Sequence, residues 1–141
     1  MSGLDSIPVR VEGGPSQDFR TDNLQPVLVQ LQQAVEHLLA AGEETTIDLG
    51  AMPFSERDEA DLRERLGVGE VAATLDAFGP TRIEETRFAG VWLIEHQDAE
   101  QRRLTLHLHV ARVPEILCAP IDDIADGLAV LRAMNLNLPD S

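Results

Sequence analysis

The sequence holds a single cysteine among 141 residues. That scarcity excludes an internal disulfide framework and any cysteine-rich zinc or iron–sulfur centre. It suits a reducing compartment, and a cytoplasmic location is expected. No apolar run approaches the roughly 20 residues needed to cross a bilayer. The opening Met1-Ser2-Gly3-Leu4-Asp5 lacks a basic region followed by an apolar core, so no export signal is expected. Positive charge is also scarce: 11 basic against 25 acidic residues leave a net charge of −14, spread along the whole chain. Nucleic-acid binding neutralises phosphates with Lys and Arg, so this balance argues against it and against anionic membranes. A basic protein or peptide segment is the partner such a field attracts, and solubility alone is the simpler reading of the same charge.

Motifs of catalysis are missing as well. Gly67-Val68-Gly69-Glu70 is too short for a phosphate loop, having neither the lysine nor a third glycine. Serines stand only at 2, 6, 16, 55 and 141, none inside a GxSxG elbow. There is no low-complexity block, internal repeat or interdomain linker. What remains is a chain with 43% hydrophobic residues, enough for one ordinary domain with its own core.

Residues 1–21 read as a loose N-terminal arm, with Ile7-Pro8-Val9-Arg10-Val11 a candidate edge strand. Thr21-Asp22-Asn23 offers N-cap side chains to a helix whose Leu24, Val27, Leu28, Leu31, Val35, Leu38 and Leu39 form one apolar stripe, ended by Gly42. Thr45 to Leu49 predicts a short strand. Ser55, with Asp58 three residues on, starts a second helix to about residue 66 that turns Ala60, Leu62 and Leu66 inward. Glu70 to Phe78 and Thr81 to Phe88 read as strands around the Gly79-Pro80 turn. Pro120 and Asp122 open a last helix over about 121–134, with Ile121, Ile124, Leu128 and Leu131 as its buried stripe. The expected folded domain covers 22–135, followed by a tail, 136–141.

Phe88 to His96 and Arg103 to Val110 are two β-rich runs joined by a polar loop, a long antiparallel hairpin. A loop centred between Ala99 and Glu100 sets Leu93 opposite Leu106, Trp92 opposite His107 and His96 opposite Arg103. Val91, Leu93, Leu104, Leu106, Leu108 and Val110 then share one apolar face, because side chains alternate with period two. Trp92, Ile94, His96, Thr105, His107 and His109 share the other. The predicted fold class is α+β: an antiparallel sheet of four to five strands, with the long first helix and the last helix on one face.

Few residues invite chemistry. His96, His107 and His109 could hold a metal if they converged, but a register that puts Arg103 beside His96 disfavours this, and a packed or solvated face is the expectation. Glu84 and Glu85 point to opposite faces of a strand and cannot share a substrate. Asp122-Asp123 suits the first turn of a helix. Cys118, after Ile116-Leu117, reads as a small buried hydrophobe with no neighbouring base. No catalytic residue, cofactor or metal is expected, and the chain does not read as an enzyme. With helices on the Val91/Leu93 face, Trp92, Ile94, Thr105, His107 and His109 form an apolar, aromatic patch. Such a patch on an acidic surface is either a partner-binding site or a face buried by the arm or by self-association.

Several spaced segments are similar to the hydrogenase expression/formation family of the HupH/HyaF type. They are Gly42-Glu43 with Ile47-Asp48-Leu49, Met52-Pro53, Leu66-Gly67-Val68-Gly69-Glu70-Val71, Ile83-Glu84-Glu85-Thr86, Gly90-Val91-Trp92 and Val113-Pro114-Glu115-Ile116-Leu117. They follow the family's order across about residues 25 to 134. Many members are about twice this length and carry the conserved region near their C-terminus, so the chain looks more like the shorter, HupJ-type relatives. The resemblance implies a non-catalytic accessory or chaperone-like protein in [NiFe]-hydrogenase maturation. Its implied partners are the hydrogenase small subunit, an assembly intermediate or another maturation factor. A structural homodimer is the alternative, and a metal-handling protein using His96, His107 and His109 a third reading.

Overall fold

The computed structural model describes residues 19–138. Residues 1–18, with the candidate strand at 7–11, and residues 139–141 lie outside the described range. The elements, in order, are α1 (Leu24–Ala41), β1 (Thr45–Asp48), a 3-10 turn (Leu49–Ala51), α2 (Glu56–Leu66), β2 (Ala72–Asp76), β3 (Pro80–Glu85), β4 (Val91–Gln97), β5 (Arg103–Val110), a second 3-10 turn (Glu115–Leu117) and α3 (Ile121–Leu136). The class is α+β, with one five-stranded sheet of order β1-β5-β4-β3-β2 and every pair antiparallel. Strands β2 to β5 are a meander, and β1 closes the free edge of β5.

The main core lies between one sheet face and two helices. Val27, Leu31 and Ala34 of α1 and Leu62 and Leu66 of α2 meet Ile47, Val91, Leu93, Leu106, Leu108 and Val110. The helix sharing this face with α1 is therefore α2, not the last helix. Helix α3 buries no residue, and its whole apolar stripe is exposed. The opposite sheet face carries a second core of Ile83, Trp92 and Ile94, with Ala73, Leu75 and Leu117 against it.

The hairpin register differs from expectation by two residues. Leu93 pairs with Leu108, Trp92 with His109 and Ile94 with His107. A two-residue slip leaves the face assignments from Thr105 to Val110 and along β4 intact, whereas a one-residue slip would invert them. The cause is the loop: Asp98 Oδ1 accepts the backbone N–H groups of Glu100 and Arg102, both at 2.9 Å, and Gln101 takes a left-handed conformation with φ 66°. An irregularity then breaks the ladder, so that Gln97 pairs with Arg103 but His96 with Thr105. Leu104 is the skipped residue; it stands 63% exposed rather than on the apolar face.

Local chemistry differs from expectation at α1. Gly42 closes the helix in a left-handed conformation, φ 71°, as its position predicts. At the other end, however, Asn23 makes no side-chain cap. Its Nδ2 instead donates to the Pro53 carbonyl at 2.6 Å, and the Thr21 hydroxyl donates to Asp58 at 2.6 Å. The residues before α1 thus fasten α1 to the start of α2. There, Ser55 and Asp58 complete a reciprocal capping box. Ala60 and Leu39, expected inward, are exposed. Arg103 holds the far end of the hairpin to α2, with two bonds to Glu59 at 2.7 and 2.9 Å and one to Glu95 at 3.0 Å. Both carboxyls are held below the usual range: burial acts to raise them, but hydrogen bonds from Arg103 and further contacts outweigh it.

Candidate partner-binding groove

The residues expected to form a binding face are mostly not available. Trp92 is 4% exposed and Ile94 3%. The Trp92 indole Nε1–H donates to the Ala111 carbonyl at 3.0 Å, as a buried indole must. The turn after β5 folds back over this face, with Pro114 buried and Leu117 against the core. Thr105 is exposed, whereas His107 and His109 are half-buried.

The three histidines are nearer than expected. The rings of His96 and His107 lie 5.6 Å apart because the slipped register sets them diagonally across the hairpin. Each outer ring already has a hydroxyl partner: His96 Nδ1 with Thr81 and His109 Nδ1 with Thr46, both at 2.9 Å. His109 Nε2 also meets Glu44 at 3.2 Å. Burial, then the proximity of His96 and His109, push the His107 imidazole below its ordinary value, opposed by Asp48. Among the described residues, no group of three or more His, Cys, Asp or Glu side chains is placed to hold a metal ion. Cys118 is exposed rather than buried, its thiol 3.8 Å from the Pro114 carbonyl.

Three of the family-like segments instead meet at one corner of the molecule. Leu66 to Val71 runs beside the β3 end: Gly69 N–H donates to the Glu85 carbonyl at 2.8 Å, Glu85 N–H to Val71 at 2.9 Å, and Arg87 N–H to Leu66 at 3.0 Å. The Glu85 carboxylate in turn accepts the Gly90 N–H at 3.2 Å, and the Thr86 hydroxyl accepts the Phe88 N–H at 3.1 Å. The turn between β3 and β4 is thereby fixed from both sides. Gly69 is required by contact: a Cβ there would overlap the Thr86 carbonyl oxygen and lie 2.9 Å from that of Glu85. Gly69→Ala is expected to lower unfolding free energy by about 1–3 kcal/mol, read as a lowered denaturant midpoint; an unchanged midpoint would show that this corner yields.

This fixed corner is one wall of an open groove of about 710 Å³. Helix α1 supplies Leu28, Leu31 and Val35, and Leu66, Phe88 and Val91 complete an apolar floor. Arg65 and Arg87 stand on the rim. Among the described residues neither guanidinium has a carboxylate within ion-pair distance; Arg87 lies over the Phe88 ring at 4.9 Å. On a chain of net charge −14, two such cations beside apolar surface mark a place that differs from its surroundings. A signal for it exists in the sequence. Of the seven apolar positions of the α1 stripe, only Val27 and Leu31 are buried. Leu24, Leu28, Val35 and Leu38 are half-buried against the edge of the core, and Leu28 and Val35 also line the groove.

Residues 22–137 match the family described as HupH hydrogenase expression protein, C-terminal conserved region. The chain is 34% identical over 114 residues to the hydrogenase expression/formation protein HoxQ of Azotobacter vinelandii, covering 78% of this chain and 40% of that protein. It is 26% identical over 126 residues to the hydrogenase expression/formation protein HupH of Rhizobium leguminosarum bv. viciae, covering 89% and 44%. It therefore spans about two fifths of the length of these relatives. Among solved structures, the hydrogenase expression protein HupH from Thiobacillus denitrificans superposes with a TM-score of 0.80 at 40% identity, over 85% of this chain and 100% of that one.

Proposed function

The chain belongs to the HupH family of hydrogenase expression proteins, within its C-terminal conserved region, and from that premise we propose that it is a non-catalytic accessory protein of hydrogenase maturation. It acts by reversible docking of an apolar segment of a hydrogenase subunit, the small subunit or its assembly intermediate, or of another maturation factor. One observation carries the choice of surface: the apolar groove is open, with the β3–β4 turn that the family-like segments brace as one of its walls, while the Trp92 face is interior.

The groove suits a helix or extended segment that presents aliphatic side chains to Leu28, Val35 and Phe88. Arg65 and Arg87 select a flank carrying carboxylates or free backbone carbonyls. Over longer range the acidic surface steers a basic partner, which makes capture salt-sensitive. Helix α1 and the braced β3–β4 turn hold the groove open without a partner, so little ordering entropy opposes binding.

The test is capture at low salt from hydrogenase-producing cells, with wild type compared against Leu28→Asp/Val35→Asp. Both positions are half-buried at the groove, and the blue-shifted emission of the buried Trp92 checks that the domain is folded. Wild type is expected to retain a hydrogenase subunit or maturation factor, and the variant to retain at least tenfold less. Recovery of neither class of protein by wild type, or equal recovery by the folded variant, rejects this reading.

A further inference from the structure

Helix α3 lacks the packing a helix of its kind requires. Sixteen residues is close to the shortest length at which an isolated helix holds in water. Gly127 at its centre weakens it relative to alanine, and its N-terminus has no side-chain cap. Yet Ile121, Ile124, Leu128, Val130, Leu131 and Met134 are all exposed, by 46% to 77%. Helices in proteins are held chiefly by burying an apolar face, and nothing among the described residues covers this one.

The same chain carries an open apolar groove lined by Leu28, Val35 and Phe88. We propose that α3 of one copy seats in the groove of a second copy, and that the second returns its own α3, forming a two-fold exchanged dimer. Leu128 and Leu131 would then meet Leu28, Val35 and Phe88. This rests on the groove being the docking surface of the proposed function. It adds a regulation: a client enters by displacing the neighbour's helix.

Two observations favour a second copy over the helix's own body. The first is tether length. Leu117 packs on the Trp92 side of the sheet, whereas the groove lies on the α1 side. Only Cys118, Ala119 and Pro120 separate Leu117 from α3. Three residues reach about 10 Å at full extension, too little to carry the helix round the sheet. The second is charge. The first turns of α3 hold Asp122, Asp123 and Asp126, and the groove rim holds Arg65 and Arg87 against one carboxylate, Glu36; among the described residues neither guanidinium has a carboxylate within ion-pair distance. Groove and helix are complementary, and each copy has one of each, so the exchange closes as a pair.

Sedimentation of the full chain across 1 to about 200 µM tests this, with Leu128→Asp/Leu131→Asp in α3 and Leu28→Asp/Val35→Asp in the groove. The α3 positions touch no core, so the domain beneath must still fold. Wild type is expected to be a dimer at tens of micromolar. Both variants are expected to be monomers, with dissociation shifted at least tenfold and 222 nm ellipticity reduced as α3 melts. Client capture is measured in parallel: the α3 variant, its groove left open, should capture several-fold more than wild type. A monomeric wild type overturns the exchange, as does a dimer that survives the α3 change. A dimer lost by the α3 change but kept by the groove change also overturns it, because the helix then seats elsewhere. Sizing decides the exchange; loss of capture by the groove variant decides the docking function, so each can fail alone.

Discussion

Trp92→Ala is expected to lower the unfolding free energy by about 3–5 kcal/mol, the range for truncating a buried large side chain. For a domain of this size that is a large fraction of total stability. The side chain is 4% exposed, is the largest member of the second core, and supplies the N–H that satisfies the Ala111 carbonyl. Truncation leaves a cavity under the turn that carries Pro114 and Leu117, and leaves that carbonyl unpaired in a dry site. Trp92→Phe separates the two contributions. It keeps most of the volume and leaves the buried Ala111 carbonyl without its donor, for which about 1–3 kcal/mol is expected. Urea unfolding measures both. Because Trp92 is the sole tryptophan, its emission in the wild-type fold should be blue-shifted and poorly quenched by acrylamide. Ready quenching, or an alanine variant as stable as wild type, would return Trp92 to the surface.

This residue also shows where sequence reasoning stops. Period-two alternation places Trp92 and Ile94 correctly on the face away from α1 and α2. It says nothing of what lies over that face. The covering residues, Pro114 to Leu117, come from an irregular turn, and such turns have no periodicity to read. The same limit applies at the hairpin. The apolar alternation of β4 and β5 tolerates a slip of two, so the faces are legible while the register is not. Asp98 sets the register through two backbone bonds that depend on loop geometry. At α3 the stripe of Ile121, Ile124, Leu128 and Leu131 is read correctly as amphipathic, yet amphipathicity does not specify which surface it covers. The groove was half legible. Leu28 and Val35 belong to the legible α1 stripe and stand at the edge of the core, but Arg65 of α2 and Arg87 and Phe88 of the β3–β4 turn join them only in the folded chain. The family-like segments meet at that corner, where glycines at 67, 69 and 90 serve the close chain approaches that build it, but the resemblance alone assigned no site to them.

Asp58→Ala is the second substitution with a large expected effect, about 3–4 kcal/mol. Asp58 is 1% exposed and accepts four hydrogen bonds: from Thr21 N–H to each oxygen at 3.3 and 3.1 Å, from the Thr21 hydroxyl at 2.6 Å and from Ser55 N–H at 3.0 Å. An N-cap contact contributes about 1 kcal/mol, and each buried donor left without a partner costs about 1–3 kcal/mol. Burial alone would raise this carboxyl's pKa, but the bonds from Thr21 and Ser55 outweigh it and hold the group below its ordinary value of 3.8. A depressed folded pKa means that the unfolded chain takes up protons first as pH falls. The stabilisation is therefore complete above about pH 4 and disappears as pH drops through the folded value. Glu59 and Glu95 are depressed too, so wild-type acid unfolding mixes all three groups. Asp58→Asn isolates one of them: it keeps the shape, removes the charge and cannot titrate. Stability measured from pH 7 to pH 2 should converge between wild type and Asp58→Asn at the acid end. A constant gap would mean that Asp58 contributes through shape alone. Since Thr21 and Asn23 anchor α1 to α2 through this carboxylate and the Pro53 carbonyl, the same acid step should loosen the α1 wall of the groove. Client capture by wild type is then expected to fall with acid more steeply than capture by the asparagine variant.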